Sequence, residues 1–434
     1  MNAFDFIRTC HWSDLPTTTK ATLALCLKDL CAVALAGAKT DLSAVLRETV
    51  SQTWLADRSI SEKLCFSGAK VAPAGAALAL GMTVDAIDAH DGHRLCKGHA
   101  GAALFGAWAP FVERHKTDRA EALSALAVGY EIALRAGIAL HQTASDYHTS
   151  GAWAAVGVAA MMGRLRGLSD SQMLHALGTA EYHGPRSPMM RCIDHPTMLK
   201  DGAGWGAMAG VTAVDLAQRG FTGAPAELLD TMDTASLGER WTLREQYFKP
   251  YPVCRWAQPA IMGAAQLRKR HNLRAEDIEA VEIQSFHEAC RLAVRHPADT
   301  EQAQYSMPFP VAALLVRGRL GVEEVTEDGL RDPAILAMAN RITLRESELD
   351  NADFPDHRFA TVTLRLRSGQ ELVSDRLEPN GDPERPLSSA EFADKWQNLI
   401  GDEGGLPVLN WNLRKLGSKG DFRRALAPVF RPLP

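Results

Sequence analysis

KPYPVCRWAQP, residues 249–259, divides the chain. Pro250, Pro252 and Pro259 each remove a backbone N–H and fix φ, so no helix can run through the stretch. On its N-terminal side, from about Leu15 to Leu229, apolar residues recur at three and four in Ala- and Leu-rich windows, the helical period, and strand signals are scarce. Asp118 with Glu121, and Ser169 with Gln172, read as capping boxes at helix starts. A helix over 73–89 opens beside Pro73. On the C-terminal side a helix over 258–271 leads to AVEIQSF at 280–286, and later to TVTLRLR at 361–367 and ELVSDRL at 371–377. Their alternation predicts strands, the last two a hairpin turning at Ser368 and Gly369. Helices over 308–317 and 333–340 lie between them, an α+β pattern. The end returns to helix, with Ser388 and Glu391 boxing FADKWQNLI. The chain is therefore expected to be mainly α with an α+β second domain.

A length of 434 residues exceeds one ordinary core, which points to two or three domains. With 46% hydrophobic and 23% charged residues the chain is globular, neither disordered nor fibrous. A net charge of −5 offers no basic excess for nucleic acid. The basic tail from Arg414 to Arg431, with Lys415, Lys419, Arg423 and Arg424, reads as a solvated face. Eight cysteines, at 10, 26, 31, 65, 96, 192, 254 and 290, include no C-x-x-C pair and fit reduced thiols in a cytosol. MNAFDFIRTCHWSDLP lacks an apolar h-region, and Lys28 and Asp29 interrupt the apolar helix that follows. Neither signal peptide nor membrane span is expected, and the protein is read as cytoplasmic, with no membrane or nucleic-acid partner.

Chemistry concentrates in DAHDGHRLCKGHAG at 88–101, where Asp88, His90, Asp91, His93, Cys96, Lys97 and His99 share one glycine-punctuated loop. Three readings compete. The loop can be a hydrated helix connection. It can hold a metal, since Asp and His are metal ligands, although H-E-x-x-H is absent. Or it can do acid–base work, with a carboxylate orienting an imidazole that titrates near neutral pH. Two further polar clusters interrupt the helical half, DYHTSGAW at 146–153 and EYHGPRSPMMRCIDHPTMLKDGAGWG at 181–206. His148, followed by Thr149 and Ser150, would sit at a helix N-terminus that favours an anion, unless Thr149 or Ser150 is simply the cap. Lys200 is either a surface charge or an anion anchor. GAGWGA at 202–207 follows no strand and is not read as a nucleotide loop. Gly202, Gly206 and Gly210 would instead line one helix face for close packing.

Taken in order, these blocks resemble the MmgE/PrpD family, which includes 2-methylcitrate dehydratase, cis-aconitate decarboxylase and iminodisuccinate epimerase. Asp88-x-x-Asp91 followed by His99 is similar to the family's D-x-x-D-T…H-P block. FHEACRLAVRHPADTEQAQYSMPFPVAALLVRG, KPYPVCR and RSGQELVSDRLEPNGDPERPLSSAEFADKW resemble its later segments. Gly92 stands where the pattern has Thr, Ala100 where it has Pro, and Gln258 where some branches have His. Cys254 stands where the decarboxylase branch has His, which counts against cis-aconitate decarboxylation.

The resemblance implies an all-helical domain over 1–248, completed by 386–434, and a smaller α+β lid over 249–385. It also implies a homodimer without metal or organic cofactor, acting on a small polycarboxylate. Its pattern maps onto Asp91, His99, His148 and Lys200 as catalytic residues, with Asp88, Thr149, Tyr251, Cys254 and Arg255 around the substrate. On this reading His99 and His148 are base and acid, and Asp91 fixes the tautomer of His99 or takes the proton itself. Lys200 and Arg255 bind carboxylates, helped by N–H groups at the helix start near His148. Removal of a proton beside a carboxylate then leads to loss of water, or to epimerisation if the proton returns. A non-catalytic carboxylate-binding member of the family is the competing class.

Overall fold

The computed structural model describes residues 2–401 and 419–433, so Arg414 and Lys415 of the basic tail lie outside the described residues. The chain is mainly α with an α+β portion. Its buried apolar side chains form two clusters, one within a helical body and one largely within 253–372.

The helical body is built from Thr17–Gly37, Pro73–Asp85, Gly101–His115, Arg119–Thr143, Gly151–Leu165, Asp170–His183 and Ala203–Gln218, with shorter pieces between. Ser169 and Gln172 cap reciprocally, as do Ser388 and Glu391. Asp118 caps through Ala120 N, but Glu121 does not reach back; it pairs with Arg164 of a neighbouring helix, a stronger, charge-assisted partner. Arg119–Thr143 is long and apolar enough to span a membrane by composition, and nearly all of it is buried among its neighbours. Gly202 is not on the helix face. It precedes Ala203–Gln218 with φ +65°, in the left-handed region where glycine is at no disadvantage. Gly206 and Gly210 do serve close packing: a Cβ would meet Gly151 O at 2.6 Å and Val158 Cγ1 at 2.6 Å.

The helix from Pro73 ends at Asp85, short of the expected 89. Its next turn is taken over from outside, because Gln304 accepts from Asp88 N at 2.8 Å and donates to Ala86 O at 3.1 Å. An unwound segment replaces the last turn and carries the Asp/His loop.

Past the prolines, Gln258–Arg270 and Pro308–Arg317 support a four-stranded sheet in the order β2–β1–β3–β4. The strands are β1 (Ile278–Ser285), β2 (Ile342–Glu346), β3 (Ala360–Leu366) and β4 (Glu371–Val373). β1 runs parallel to β2, Val281 opposite Ile342, and antiparallel to β3, Ile283 opposite Val362. β3 and β4 form the expected hairpin, with Gly369 at φ +86°. β2 was not expected. Of its five residues only Ile342 is buried, so an edge strand of this kind leaves almost no alternation in the sequence.

Ser389–Ile400 brings the chain back to the helical body. Lys395, buried, donates to Asp29 Oδ2 at 2.6 Å and Ala89 O at 2.8 Å, and Trp396 Nε1 reaches Asp29 Oδ1 at 3.0 Å. Asp29 is thus no interruption of an apolar helix but one half of a buried ion pair. Removing one partner of such a pair strands a charge, whereas replacing both by apolar groups is far cheaper. Lys395→Met is expected to cost about 3–5 kcal/mol in urea denaturation, with Asp29→Leu/Lys395→Met recovering most of it. A single variant as stable as wild type would show that the pair does not anchor this helix.

Candidate active site

The Asp/His loop, the proline junction and the segment around Gln304 meet at a small cavity of about 40 Å³. Gly92–His93 pairs antiparallel with Gln246–Tyr247, which fixes the loop to the chain just ahead of the junction. A Cβ at Gly92 would lie 2.5 Å from the Tyr247 hydroxyl and 2.6 Å from His99 Nδ1. The missing side chain is what allows Tyr247 and His99 to pack edge to face, ring centroids 6.1 Å apart.

His99 is 8% exposed. Its Nδ1 lies 2.6 Å from the main-chain carbonyl of Asp91. A carbonyl can only accept, so Nδ1 carries the proton and Nε2 keeps its lone pair. Nε2 stands 3.9 Å from Asp88 Oδ1, too far for a hydrogen bond but close enough to stabilise an imidazolium once it forms. Burial, reinforced by the Lys249 ammonium, holds the His99 pKa well below the ordinary imidazole value, so the ring is neutral at neutral pH.

Asp88 is the ionised partner. Burial alone would raise its pKa, but Lys249, 0% exposed and ion-paired to Oδ1, holds it far below the usual carboxylate range. The same Oδ1 lies 4.0 Å from His90 Nε2. Asp88, His90 and His99 offer atoms within 4.8 Å of one another, a spacing a metal ion could use. Such an ion would compete with an ammonium already seated on the shared oxygen.

Asp91 acts from behind. Its carboxylate accepts from Tyr130 Oη at 3.0 Å and Gln246 Nε2 at 2.9 Å, and does not line the cavity. The tautomer of His99 is thus set by the main chain of Asp91 and not by its carboxylate. Its other oxygen is unpartnered among the described residues, and burial pushes its pKa up to about 7.

The helix start at 151 does converge on the loop, through Ser150. Ser150 Oγ accepts from His99 N at 2.8 Å and donates to Asp201 Oδ2 at 2.5 Å. Burial and the neighbouring Asp85 raise the pKa of Asp201. His148 is not brought to the cavity: it is half-buried, donating through Nδ1 to Asp146 O at 3.0 Å and through its backbone N–H to His141. The N–H groups there are occupied as well, Thr149 N by Ser187 O and Gly151 N by Asp201 O.

Lys200 and Thr149 line a larger neighbouring cleft of about 490 Å³. Lys200 is nonetheless buried. Its ammonium donates to Gln304 Oε1 at 2.7 Å and lies 4.7 Å from the ring of Tyr305, which walls the small cavity. Cys254 lines the small cavity as a thiol, burial pushing its pKa up to about 12. Arg255 lines it too, but its guanidinium is engaged by Asn380 O, Pro379 O and Asp382, over the Tyr247 ring. Tyr251 stands back from the cavity, its carbonyl held by Gln258 Nε2 at 3.0 Å.

Lys249, Asp201, Ser150, Tyr247, Gln304, Tyr305 and Arg358 were missed. Several stand next to residues the sequence did single out, Lys249 opening the junction and Asp201 following Lys200. Arg358 had no local signal, because only the sheet carries it to the cavity.

A helical body and a smaller α+β half meet around a neutral imidazole, an ionised carboxylate and several cations. The chain belongs to the MmgE/PrpD family: it matches the MmgE/PrpD N-terminal domain over residues 3–237 and the MmgE/PrpD C-terminal domain over 251–405. That family is generally one of enzymes, dehydratases and related lyases among them. No curated protein matches the chain.

Asp91 supplies a test of the buried network. A carboxyl whose folded pKa is raised favours the native state while protonated and loses that contribution as pH rises from about 4 through about 7. Asn does not titrate, so the melting temperature of Asp91→Asn relative to wild type should rise between pH 5 and pH 8. A difference that stays flat or falls with pH means that Asp91 is ionised in the native protein.

Proposed function

We propose that the chain is a cofactor-independent lyase that removes a proton α to a carboxylate of a small di- or tricarboxylate and eliminates water, as 2-methylcitrate dehydratase does. The observation that carries this reading is the His99 ring, held neutral with its Nε2 lone pair free beside the Asp88–Lys249 pair. As base, Nε2 takes the α-proton, and the C–H electron pair becomes the new C=C bond as the β-hydroxyl departs. Asp88 stabilises the imidazolium. Lys249 and Lys200 offset the charge that builds on the adjacent carboxylate. Tyr247, whose phenol burial keeps protonated, supports the role of proton donor to the leaving hydroxyl.

A cavity of about 40 Å³ holds little more than a water or two, so substrate enters as the α+β lid parts from the helical body. Epimerisation of an imino- or amino-dicarboxylate is the second reading, with the same base and with the donor returning its proton to carbon.

The test is incubation with 2-methylcitrate, citrate and iminodisuccinate in deuterated water, followed by NMR. Loss of the hydroxyl with appearance of an alkene identifies the lyase; solvent deuterium at carbon without elimination identifies the epimerase. Silence from all three at millimolar levels, above ordinary KM values, removes the reading. His99→Gln should lower turnover at least ~10²-fold. Since the base must be neutral and burial lowers its pKa, kcat/KM should persist below pH 6.5 and fall only at more acid pH. A limb at or above pH 6.5 would reassign the base.

A further inference from the structure

Five cations gather at the small cavity and its wall, and they are not equivalent. Lys249 is paired with Asp88 and Arg255 with Asp382. Lys200 is held by Gln304. Arg358 and Lys97 both line the cavity and form no ion pair among the described residues, Asp382 acting on Arg358 and Asp356 on Lys97 only from beyond ion-pair distance.

Arg358 is 6% exposed and stands just ahead of β3, on the sheet-bearing half. Of its five N–H donors, one is used among the described residues, Nη2 to the main-chain carbonyl of Arg94 at 3.0 Å; the guanidinium also lies 6.0 Å from the Phe354 ring centroid, and Arg94 belongs to the Asp/His loop of the helical body. Lys97, from the same loop, is half-buried with φ +52°, a left-handed conformation that a lysine adopts at a cost. Its ammonium lies 4.1 Å from the Tyr147 ring centroid. Burial and then the nearby Arg358 lower the pKa of Lys97, so the two cations repel across the seam. Buried charges without a partner are costly unless an anion completes them.

We propose that Arg358 and Lys97 form a second carboxylate subsite, one cation from each half, so that the substrate carries at least two carboxylates and its binding clasps the halves together. The planar guanidinium supplies a two-point fork and the ammonium a single charge. This assignment rests on the polycarboxylate reading above and deepens it: one carboxylate is activated near Lys249 and Lys200, and another is gripped at the seam.

Calorimetric titration with tricarballylate tests it, since that tricarboxylate has no hydroxyl to eliminate and reports binding alone. Butyrate serves as the single-carboxylate comparison. Wild type should bind tricarballylate and discriminate strongly against butyrate. Arg358→Gln should weaken tricarballylate at least ~10-fold and narrow that discrimination, the loss expected for one charge-assisted contact. Arg358→Lys should retain part of the affinity, and Lys97→Gln should weaken it in the same direction. If Arg358→Gln does not fold by circular dichroism, Lys97→Gln decides, its side chain being only half-buried. Folded variants that bind as tightly as wild type overturn the proposal and leave Arg358 as a clasp to Arg94; so does wild type that binds no tricarballylate. Exchange in deuterated water separates the two readings. Turnover unaffected in both variants sinks the subsite and spares the lyase, whereas variant-sensitive binding with neither alkene formation nor exchange spares the subsite and sinks the lyase.

Discussion

The buried ion pair between Asp88 and Lys249 is the interaction on which the site depends. Lys249 opens the proline junction and Asp88 opens the Asp/His loop, so one contact ties together two segments far apart in the chain. It also sets two protonation states at once. The ammonium keeps Asp88 ionised in a place where burial would otherwise neutralise it, and it adds to the burial that keeps His99 neutral. Losing either partner would leave a bare charge in a low-dielectric interior, so neither can be altered without altering the chemistry of the imidazole beside them.

Around that pair the two halves are stitched by polar groups that do double service. Gln304 unwinds the end of the helix from Pro73, holds the main chain at Ala86 and Asp88, and accepts from Lys200. Within the helical body itself, Ser150 links the main chain of His99 to Asp201. These contacts are local in space and remote in sequence.

The positions where this chain departs from the family pattern have physical roles here. Gly92 gives its space to Tyr247, whose hydroxyl comes near where a side chain at that position would have begun. Gln258 donates to the carbonyls of Tyr251 and Val253 at 3.0 and 3.1 Å and so braces the proline junction itself. Ala100 stands fully buried at the start of the helix Gly101–His115, with no side-chain capping bond.

Local spacing carried the helical body, three of the four sheet strands and both helices between them, and the prolines carried the break, because helical recurrence, strand alternation and a missing N–H are all written in neighbouring residues. The edge strand β2 left too little buried surface to register. For the site, residue types and glycine punctuation marked the 88–101 loop, the 146–153 start and the segment around 200 as places of chemistry. Which atoms meet there was decided by the tertiary structure: Ser150 and not His148, Lys249 and Arg358 in addition to Lys200, the Asp91 carbonyl and not its carboxylate. A hydrogen bond or an ion pair is set by ångström-scale positions in space, and sequence spacing fixes those only within a helix turn or a strand pair, not across the seam between two cores.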